Sequence, residues 1–141
     1  MTNTNTTTDT DTNTTHLDLT DLASVVDVWL TAYAEPDVAV RQALIAQTWT
    51  ADGKLVDPPF EGTGHAELSG LAGVVLTHYA GHTFRRTTKV DAHHGFARYG
   101  WELVGPNGAV AVAGLDVIRV ADDGKLAGAV GFFGALEADA S

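Results

Sequence analysis

The sequence has 141 residues, 45% of them hydrophobic, which fits one domain with a single core. Its 18 acidic and 8 basic side chains give a formal net charge of −10, which disfavours nucleic acid as a partner because that binding needs clustered Lys and Arg. Cysteine is absent, and no apolar run approaches the roughly 20 residues of a membrane span. The first residues also lack the pattern of a signal peptide. We therefore expect a cytoplasmic protein with no membrane partner.

The N-terminal segment is predicted to lie outside the folded domain. Residues 1–15 contain only Met, Thr, Asn and Asp. Ordering them would cost conformational entropy without burying apolar surface. We predict a disordered tail over residues 1–17, a single domain over 18–137 and a short C-terminal tail over 138–141.

The first half of the domain is predicted to be mainly helical. Apolar residues recur at helical spacing from Thr20 until Pro36, and Asp18 or Thr20 could cap the start. Asp37 could cap a second helix, and a third helix should end at Gly81. The predicted apolar face of the second helix comprises Val40, Ala43, Leu44 and Thr48.

The second half of the domain is predicted to be β-sheet. A short strand over 54–57 precedes the third helix, and further strands are expected at about 83–92, 96–104, 109–120 and 125–133. Gly-Pro-Asn-Gly and Ala-Asp-Asp-Gly turns between the last three indicate an antiparallel meander. Helices followed by such a sheet predict an α+β domain with helices on one face. The last two strands are apolar on both faces, so we expect a second copy of the chain to cover the outer face, in a homodimer.

Asp57 is the first candidate for a functional carboxylate. It ends the 54–57 strand and is followed by Pro58 and Pro59. Proline cannot donate to a sheet ladder and disfavours a helical conformation in the residue before it, so this carboxylate is held at a strand end. Asp57 is either a turn former or part of a site.

Asp116 is the second candidate. Strand alternation places it on the same face as Val110, Val112 and Ile118. Burial among such side chains raises the pKa of a carboxyl group, so we expect Asp116 to titrate at a higher pH than Asp57, which can stay partly hydrated.

Direct pairing across the two turns predicts the surroundings of Asp116. It sets Asp116 opposite Ala97 and Ala129. The same side of the sheet then carries Tyr99, Trp101 and Phe133. Small residues in these strands can let the sheet curve and leave room for a ligand; they are Gly100, Gly114, Ala129 and Gly131.

These features resemble the nuclear transport factor 2-like superfamily, and within it the SnoaL-like and ketosteroid-isomerase-like proteins. The resemblance covers roughly residues 18–137 and rests on the Asp-Pro after the first strand and on the aspartate of GLDVIRVADDGKLAGAVGFFG. It implies a cone-shaped α+β fold with three N-terminal helices on a curved, mostly antiparallel sheet. It also implies a pocket for a small hydrophobic, oxygenated molecule.

The resemblance assigns roles to both aspartates. In the isomerases, the aspartate of the Asp-Pro element is the general base and the late-strand aspartate is a protonated partner in the oxyanion hole, so Asp57 and Asp116 would take these roles. Counting along the first helix puts Trp29 where the isomerases have a tyrosine, and an indole donates a hydrogen bond but does not transfer a proton. The supporting tyrosine of the third helix is replaced by Ala72 or a neighbour.

The predicted chemistry is acid/base catalysis without a cofactor, of the isomerase, cyclase or dehydratase type. The alternative is a non-catalytic domain that binds a small molecule or another protein. Aromatic residues predicted to contact the ligand are Trp29, Tyr33, Phe60, Tyr99, Trp101 and Phe133.

The histidines and Arg98 receive no assigned role. His78 and His82 have the spacing of metal ligands on a helix, but no third ligand is evident and we expect no metal. His93 and His94 lie near a turn, where one could reach the cavity mouth. Arg98 should be exposed in an ion pair beside Glu102; a one-residue bulge would instead turn it inward, as in a water-activating site of the limonene epoxide hydrolase kind.

Overall fold

The computed structural model describes residues 21–139, so the predicted N-terminal tail and residues 140 and 141 lie outside the described range. Its helices are α1 (Leu22–Ala32), α2 (Val38–Thr48) and α3 (His65–His78). Its strands are β1 (Trp49–Asp57), β2 (Phe60–Thr63), β3 (Thr83–Arg86), β4 (Asp91–His93), β5 (Phe96–Val104), β6 (Val110–Val120) and β7 (Leu126–Phe133). Within residues 21–139, no helix has the length and apolar character needed to cross a membrane.

Aspartates cap the first two helices. Asp21 and Asp37 each accept a hydrogen bond from a backbone N–H of the first turn, at 2.7 and 3.1 Å. These N–H groups have no partner inside the helix, so a side-chain acceptor stabilises the helix start. The predicted cap Asp37 is confirmed. The cap of α1 is Asp21, and the prediction of Asp18 or Thr20 was wrong.

The buried face of α2 matches the predicted one only in part, since Thr48 is buried and Leu44 packs against the core. Ile45 is fully buried and Arg41 is only 6% exposed, whereas Val40 is 45% exposed and Ala43 is exposed. The Arg41 guanidinium donates to Ser69 Oγ at 3.0 Å and to a backbone carbonyl at 2.9 Å. Hydrogen bonds from neighbouring elements therefore hold a charged residue where an apolar pattern predicts an exposed one.

All seven strands form one curved, mostly antiparallel sheet with the order β2-β1-β7-β6-β5-β3, and β4 also pairs with β5. The consecutive antiparallel pairing of β5, β6 and β7 confirms the predicted meander. β1 is longer than predicted and lies parallel to β7. The predicted strand over 83–92 is two strands, β3 and β4, and β2 was not predicted. Helices and strands share one core, so the predicted α+β class is confirmed.

The strand register around Asp116 differs from the predicted one by two residues. Asp116 lies opposite Tyr99 on β5 and Gly131 on β7, so the predicted partners Ala97 and Ala129 were wrong. In each hairpin, the hydrogen-bonded pair next to the turn differs from the predicted pair by one residue. A bulge beside the turn then shifts the strand register by one residue more. Because side chains alternate with a period of two, a two-residue shift leaves Asp116 on its predicted face.

The opposite face of β6 and β7 carries exposed apolar side chains. Leu115 pairs with Phe132 and Val117 pairs with Val130, so the four side chains form one continuous surface. All four are exposed, Phe132 to 56%. We call this surface the outer patch. Contiguous exposed apolar surface of this kind is typical of an interaction site.

Candidate functional site

A cavity of about 350 Å³ lies between the helices and the inner face of the sheet. Its walls are almost entirely apolar and aromatic, and the C-terminal end of α1, α3 and six strands contribute to them. The lining residues are Tyr33, Asp57, Pro58, Pro59, Phe60, Val75, His78, Tyr79, Phe84, Trp101, Leu103, Val112 and Phe133. Such a cavity resembles small-molecule sites in its size and in its few polar groups.

Asp57 is the acidic group in the cavity wall. It is the last residue of β1 and only 8% exposed. The Tyr33 hydroxyl donates to its Oδ2 over a long 3.4 Å, and Oδ1 is buried without a hydrogen-bond partner among residues 21–139. A buried carboxylate oxygen without a donor makes the ionised form of Asp57 costly.

Asp116 lies behind the cavity wall and does not line the cavity. It is 7% exposed and accepts two hydrogen bonds, from the Tyr99 hydroxyl at 2.8 Å and from Trp101 Nε1 at 2.9 Å. Since the Trp101 ring does line the cavity, Asp116 fixes the orientation of part of the wall. We describe Asp116 as a positioning residue.

The two carboxylates meet above Gly131. A Cβ atom placed on Gly131 would collide with Asp57 Oδ1 and lie 3.1 Å from Asp116 Oδ1. Only a residue without a side chain leaves space for both groups here. The Asp57 carboxylate thus occupies the space at Gly131 that was predicted for a ligand.

Burial changes the titration of both acids, and the charge of Asp116 adds to the effect at Asp57. Burial raises the pKa of Asp57 to about 7, with a further increase from the negative charge of Asp116. Burial also raises the pKa of Asp116, to about 6, and the hydrogen bonds from Tyr99 and Trp101 limit this increase. Asp116 has two close donors that favour its ionised form and Asp57 has one distant donor, so these contacts oppose the predicted order of the two acids.

The tyrosines beside these acids stay protonated near neutral pH. Burial, followed by the charge of the adjacent aspartate, holds the pKa of both Tyr33 and Tyr99 well above the usual value. Each phenol is therefore a hydrogen-bond donor and not a phenolate.

The predicted site residues separate into two layers. Around the cavity lie Asp57, Tyr33, Phe60, Trp101 and Phe133. Buried behind them lie Asp116, Tyr99 and Trp29. Trp29 is 1% exposed and stacks on Tyr33, with 4.7 Å between ring centroids. The polar group at the cavity from this part of the chain is thus the Tyr33 hydroxyl. Tyr33 lies one helical turn after Trp29, the residue that corresponds to the isomerase tyrosine in the sequence.

Several lining residues were missed by the sequence analysis. Tyr79 and Phe84 received no role from the sequence, and His78 was considered only as a metal ligand. Phe84 stacks on Tyr33 at 5.2 Å and meets Trp101 edge to face at 5.5 Å. The sequence feature that could have indicated Phe84 as a lining residue is its position as an aromatic residue after the turn at Gly81.

The histidines do not form a metal site within the described part of the chain, where no cluster of three His, Cys, Asp or Glu side chains occurs. Nδ1 of His78 and Nδ1 of His82 each donate to a backbone carbonyl at 3.1 Å. His93 and His94 are exposed and do not line the cavity.

Arg98 is exposed on the outer side of the sheet and does not line the cavity. The predicted ion pair has a different partner, because Arg98 binds Asp91 at 2.9 Å while Glu102 binds Arg85 at 2.7 Å. The bulges fall beside the turns and not at Arg98, so the alternative with Arg98 turned inward was wrong.

Comparison with known proteins gives similarity in structure only: no family model and no curated protein matches the sequence. A proposed isomerase of the SnoaL-like family from Agrobacterium tumefaciens is 26% identical, with a TM-score of 0.75 over 80% of this chain and 97% of that one. An NTF2-like protein of unknown function from Exiguobacterium is 16% identical, with a TM-score of 0.63 over 79% of this chain and 99% of the other.

A third structure, from Catenulispora acidiphila, has a ketosteroid isomerase-like fold and was solved in complex with trimethylamine. It is 17% identical, with a TM-score of 0.62 over 77% of this chain and 83% of the other. The fold described above is therefore that of the nuclear transport factor 2-like proteins. The chain shares this fold with the SnoaL-like and ketosteroid-isomerase-like proteins.

Replacing Asp116 with Asn should lower the pKa of Asp57 by about one unit or more, because a neighbouring negative charge is removed. Asparagine keeps an acceptor for Trp101 and preserves the shape of the side chain. The carboxyl carbon shift of Asp57, followed by NMR against pH, measures the change. The matched variant Asp122→Asn removes an exposed charge from a turn and should leave the Asp57 curve in place. An unchanged curve in Asp116→Asn would show that the two acids are not coupled.

Proposed function

We propose that the cavity binds a small hydrophobic, oxygenated molecule and that Asp57 exchanges a proton with it. One observation carries this proposal: a buried carboxylate whose pKa is raised to about 7 lies in an apolar, aromatic wall. A general acid or base works best when its pKa is close to the working pH. The protein would then be a cofactor-independent isomerase, cyclase or dehydratase.

The proposed reaction follows from the groups in the wall. Ionised Asp57 takes a proton from a carbon next to a ligand carbonyl, and the electron pair moves to the carbonyl oxygen to give an enolate. Tyr33, which stays protonated, is placed to donate to that oxygen, since its present bond to Asp57 is long at 3.4 Å. Protonated Asp57 then returns the proton to another carbon. Asp116 acts through Trp101 and through its charge, without touching the ligand.

Deuterium exchange tests this proposal without knowledge of the substrate. Hydrophobic ketones are incubated with the protein in heavy water, and mass spectrometry follows incorporation at carbon. The parent should accelerate exchange, and Asp57→Asn should reduce the rate by roughly 100-fold or more. Asp116→Asn should still accelerate deuterium exchange, and the pH dependence of the exchange rate should move to lower pH. Rates equal to those in buffer for ketones that do bind would remove the catalytic part of the proposal.

A second candidate is a binding domain without catalysis, acting on a small molecule or a protein partner. Asp116 and Tyr99 are bonded to one another behind the wall, so the acid that the resemblance places in an oxyanion hole does not face the cavity. Ketone binding without deuterium exchange would favour this candidate. Mass spectrometry of molecules that remain bound through purification would identify the ligand in either case.

We also propose that two copies associate through the outer patch. Its four apolar side chains lie on one exposed surface, and a stable pair would bury about 800 Å² or more on each partner. Phe132→Glu places a charge at the centre of this surface and should convert the dimer to a monomer in sedimentation at micromolar concentration. Val40→Glu, on exposed α2 surface, is the matched control and should remain dimeric. A monomeric parent would contradict the proposal.

A further inference from the structure

The cavity wall contains an acidic side chain, Asp57, and no described Lys or Arg side chain that could balance its charge. The other titratable side chains among the described lining residues are Tyr33, His78 and Tyr79. From behind the wall, Asp116 adds a second acid next to Asp57. Ionised carboxylates in a buried place are destabilised unless a positive partner or donors compensate.

Neither oxygen of Asp57 has a close donor that would stabilise its ionised form. Oδ2 receives the long bond from Tyr33, whereas Oδ1 is buried without a donor among residues 21–139. A ketone or an ether has no N–H or O–H to offer this carboxylate. A protonated amine offers both a donor and the missing positive charge.

Aromatic rings continue from this carboxylate along the cavity. Tyr33 stacks on Phe84 at 5.2 Å, Phe84 meets the edge of Trp101 at 5.5 Å, and Trp101 meets Phe133 at 5.7 Å. The faces of such rings attract cations, and their carbon surface accommodates alkyl groups. A carboxylate beside several rings is the arrangement that favours an alkylammonium ion.

We propose that this cavity takes small alkylammonium ions, with the ammonium N–H donating to the Asp57 carboxylate and the alkyl groups packed against the aromatic rings. The inference rests on the proposed role of the cavity as a binding site and specifies a class of ligand for it. Neutral oxygenated molecules and alkylammonium ions would compete for the same space.

The proposal predicts how binding depends on pH. A cation binds the ionised form of Asp57, so at low pH this carboxyl group must release its proton when the cation binds. Asp57 has a pKa of about 7, and the affinity should therefore increase by roughly 10-fold or more between about pH 5.5 and about pH 8. Asp116, with a pKa of about 6, also ionises in this range, and Asp116→Asn separates its contribution. His78 also lines the cavity, and His78→Gln controls for its side chain.

Calorimetry with two probes of matched shape tests the inference. N,N-dimethylcyclohexylammonium is the cation, and cyclohexyl methyl ketone is the neutral counterpart. At about pH 8, we expect the cation to bind at least about 10-fold more tightly in the parent. Asp57→Asn should lose this preference, whereas Asp122→Asn, which also lacks one acidic charge, should keep it. Titrations in two buffers of different ionisation heat should show proton release in the parent near about pH 6.

Three outcomes would overturn the inference. Tighter binding of the ketone would remove it and leave the proposed function in place. Cation binding that is equal in Asp57→Asn and the parent would place the ion elsewhere on the acidic surface. Absence of binding by both probes at millimolar concentration would contradict the inference together with the binding role of the cavity.

Discussion

Replacing Asp57 with Asn should make the stability of the protein less dependent on pH. The pKa of Asp57 is raised from 3.8 to about 7 on folding, so the unfolded chain loses this proton first as the pH rises. The contribution of Asp57 to the free energy of unfolding is therefore complete below about pH 3.8 and is lost as the pH rises to about 7. A change of about 3 units corresponds to about 4 kcal/mol at most. Asparagine cannot ionise, so the variant should gain up to this amount relative to the parent.

Urea unfolding at a series of pH values measures this difference. The quantity to compare is the free energy of unfolding of Asp57→Asn minus that of the parent, which removes contributions common to both. Asp122→Asn, with its acid lost from an exposed turn, is the control for a general change in net charge. A difference that stays constant within about 1 kcal/mol from about pH 4 to about pH 8 would show that Asp57 titrates normally in the folded protein.

Replacing Gly131 with Ala should destabilise the fold by about 1–3 kcal/mol. The new methyl group would occupy the position of Asp57 Oδ1 and approach the Cγ of the same residue to 3.1 Å. Overpacking at a buried site forces side chains out of their preferred positions. The Asp57 carboxylate would be displaced into the cavity, so its pKa and the stability of the protein should both change.

Two comparisons make the Gly131 experiment specific. Gly70→Ala, on the exposed side of α3, meets no atom within 4 Å of its new Cβ and should be neutral or stabilising by up to about 1 kcal/mol. In an Asp57→Ala background the displaced carboxylate is absent, so Gly131→Ala should cost much less there. Equal costs in both backgrounds would show that the Asp57 carboxylate does not occupy the space above Gly131.

Local patterns predicted much of this fold. The three helices, the meander and the face on which Asp116 lies depend on helical spacing, turn residues and alternation, all of which are properties of neighbouring residues. The face of Asp116 was correct although its register was not, because the later closure of the turn and the bulge together shift the register by two residues. A single extra residue would have placed Asp116 on the outer side.

The parts that the sequence could not predict depend on contacts between distant elements. Arg41 is buried because Ser69 on another helix accepts its hydrogen bond. The order of the two acid pKa values depends on whether donors reach each carboxylate, and Trp101 and Tyr99 reach Asp116 across the sheet. Apolar periodicity carries no information about such hydrogen bonds.

The last two residues of β7 serve opposite sides of the sheet. Phe132 belongs to the outer patch, whereas Phe133 lines the cavity and meets the Trp101 ring. One stretch of backbone carries both rings, so a ligand that restrains Phe133 also restrains the segment that positions Phe132. Thermodynamic reciprocity then requires that any effect of the ligand on self-association be matched by an equal effect of self-association on ligand affinity. Ligand occupancy of the cavity would in that case depend on the concentration of the protein itself.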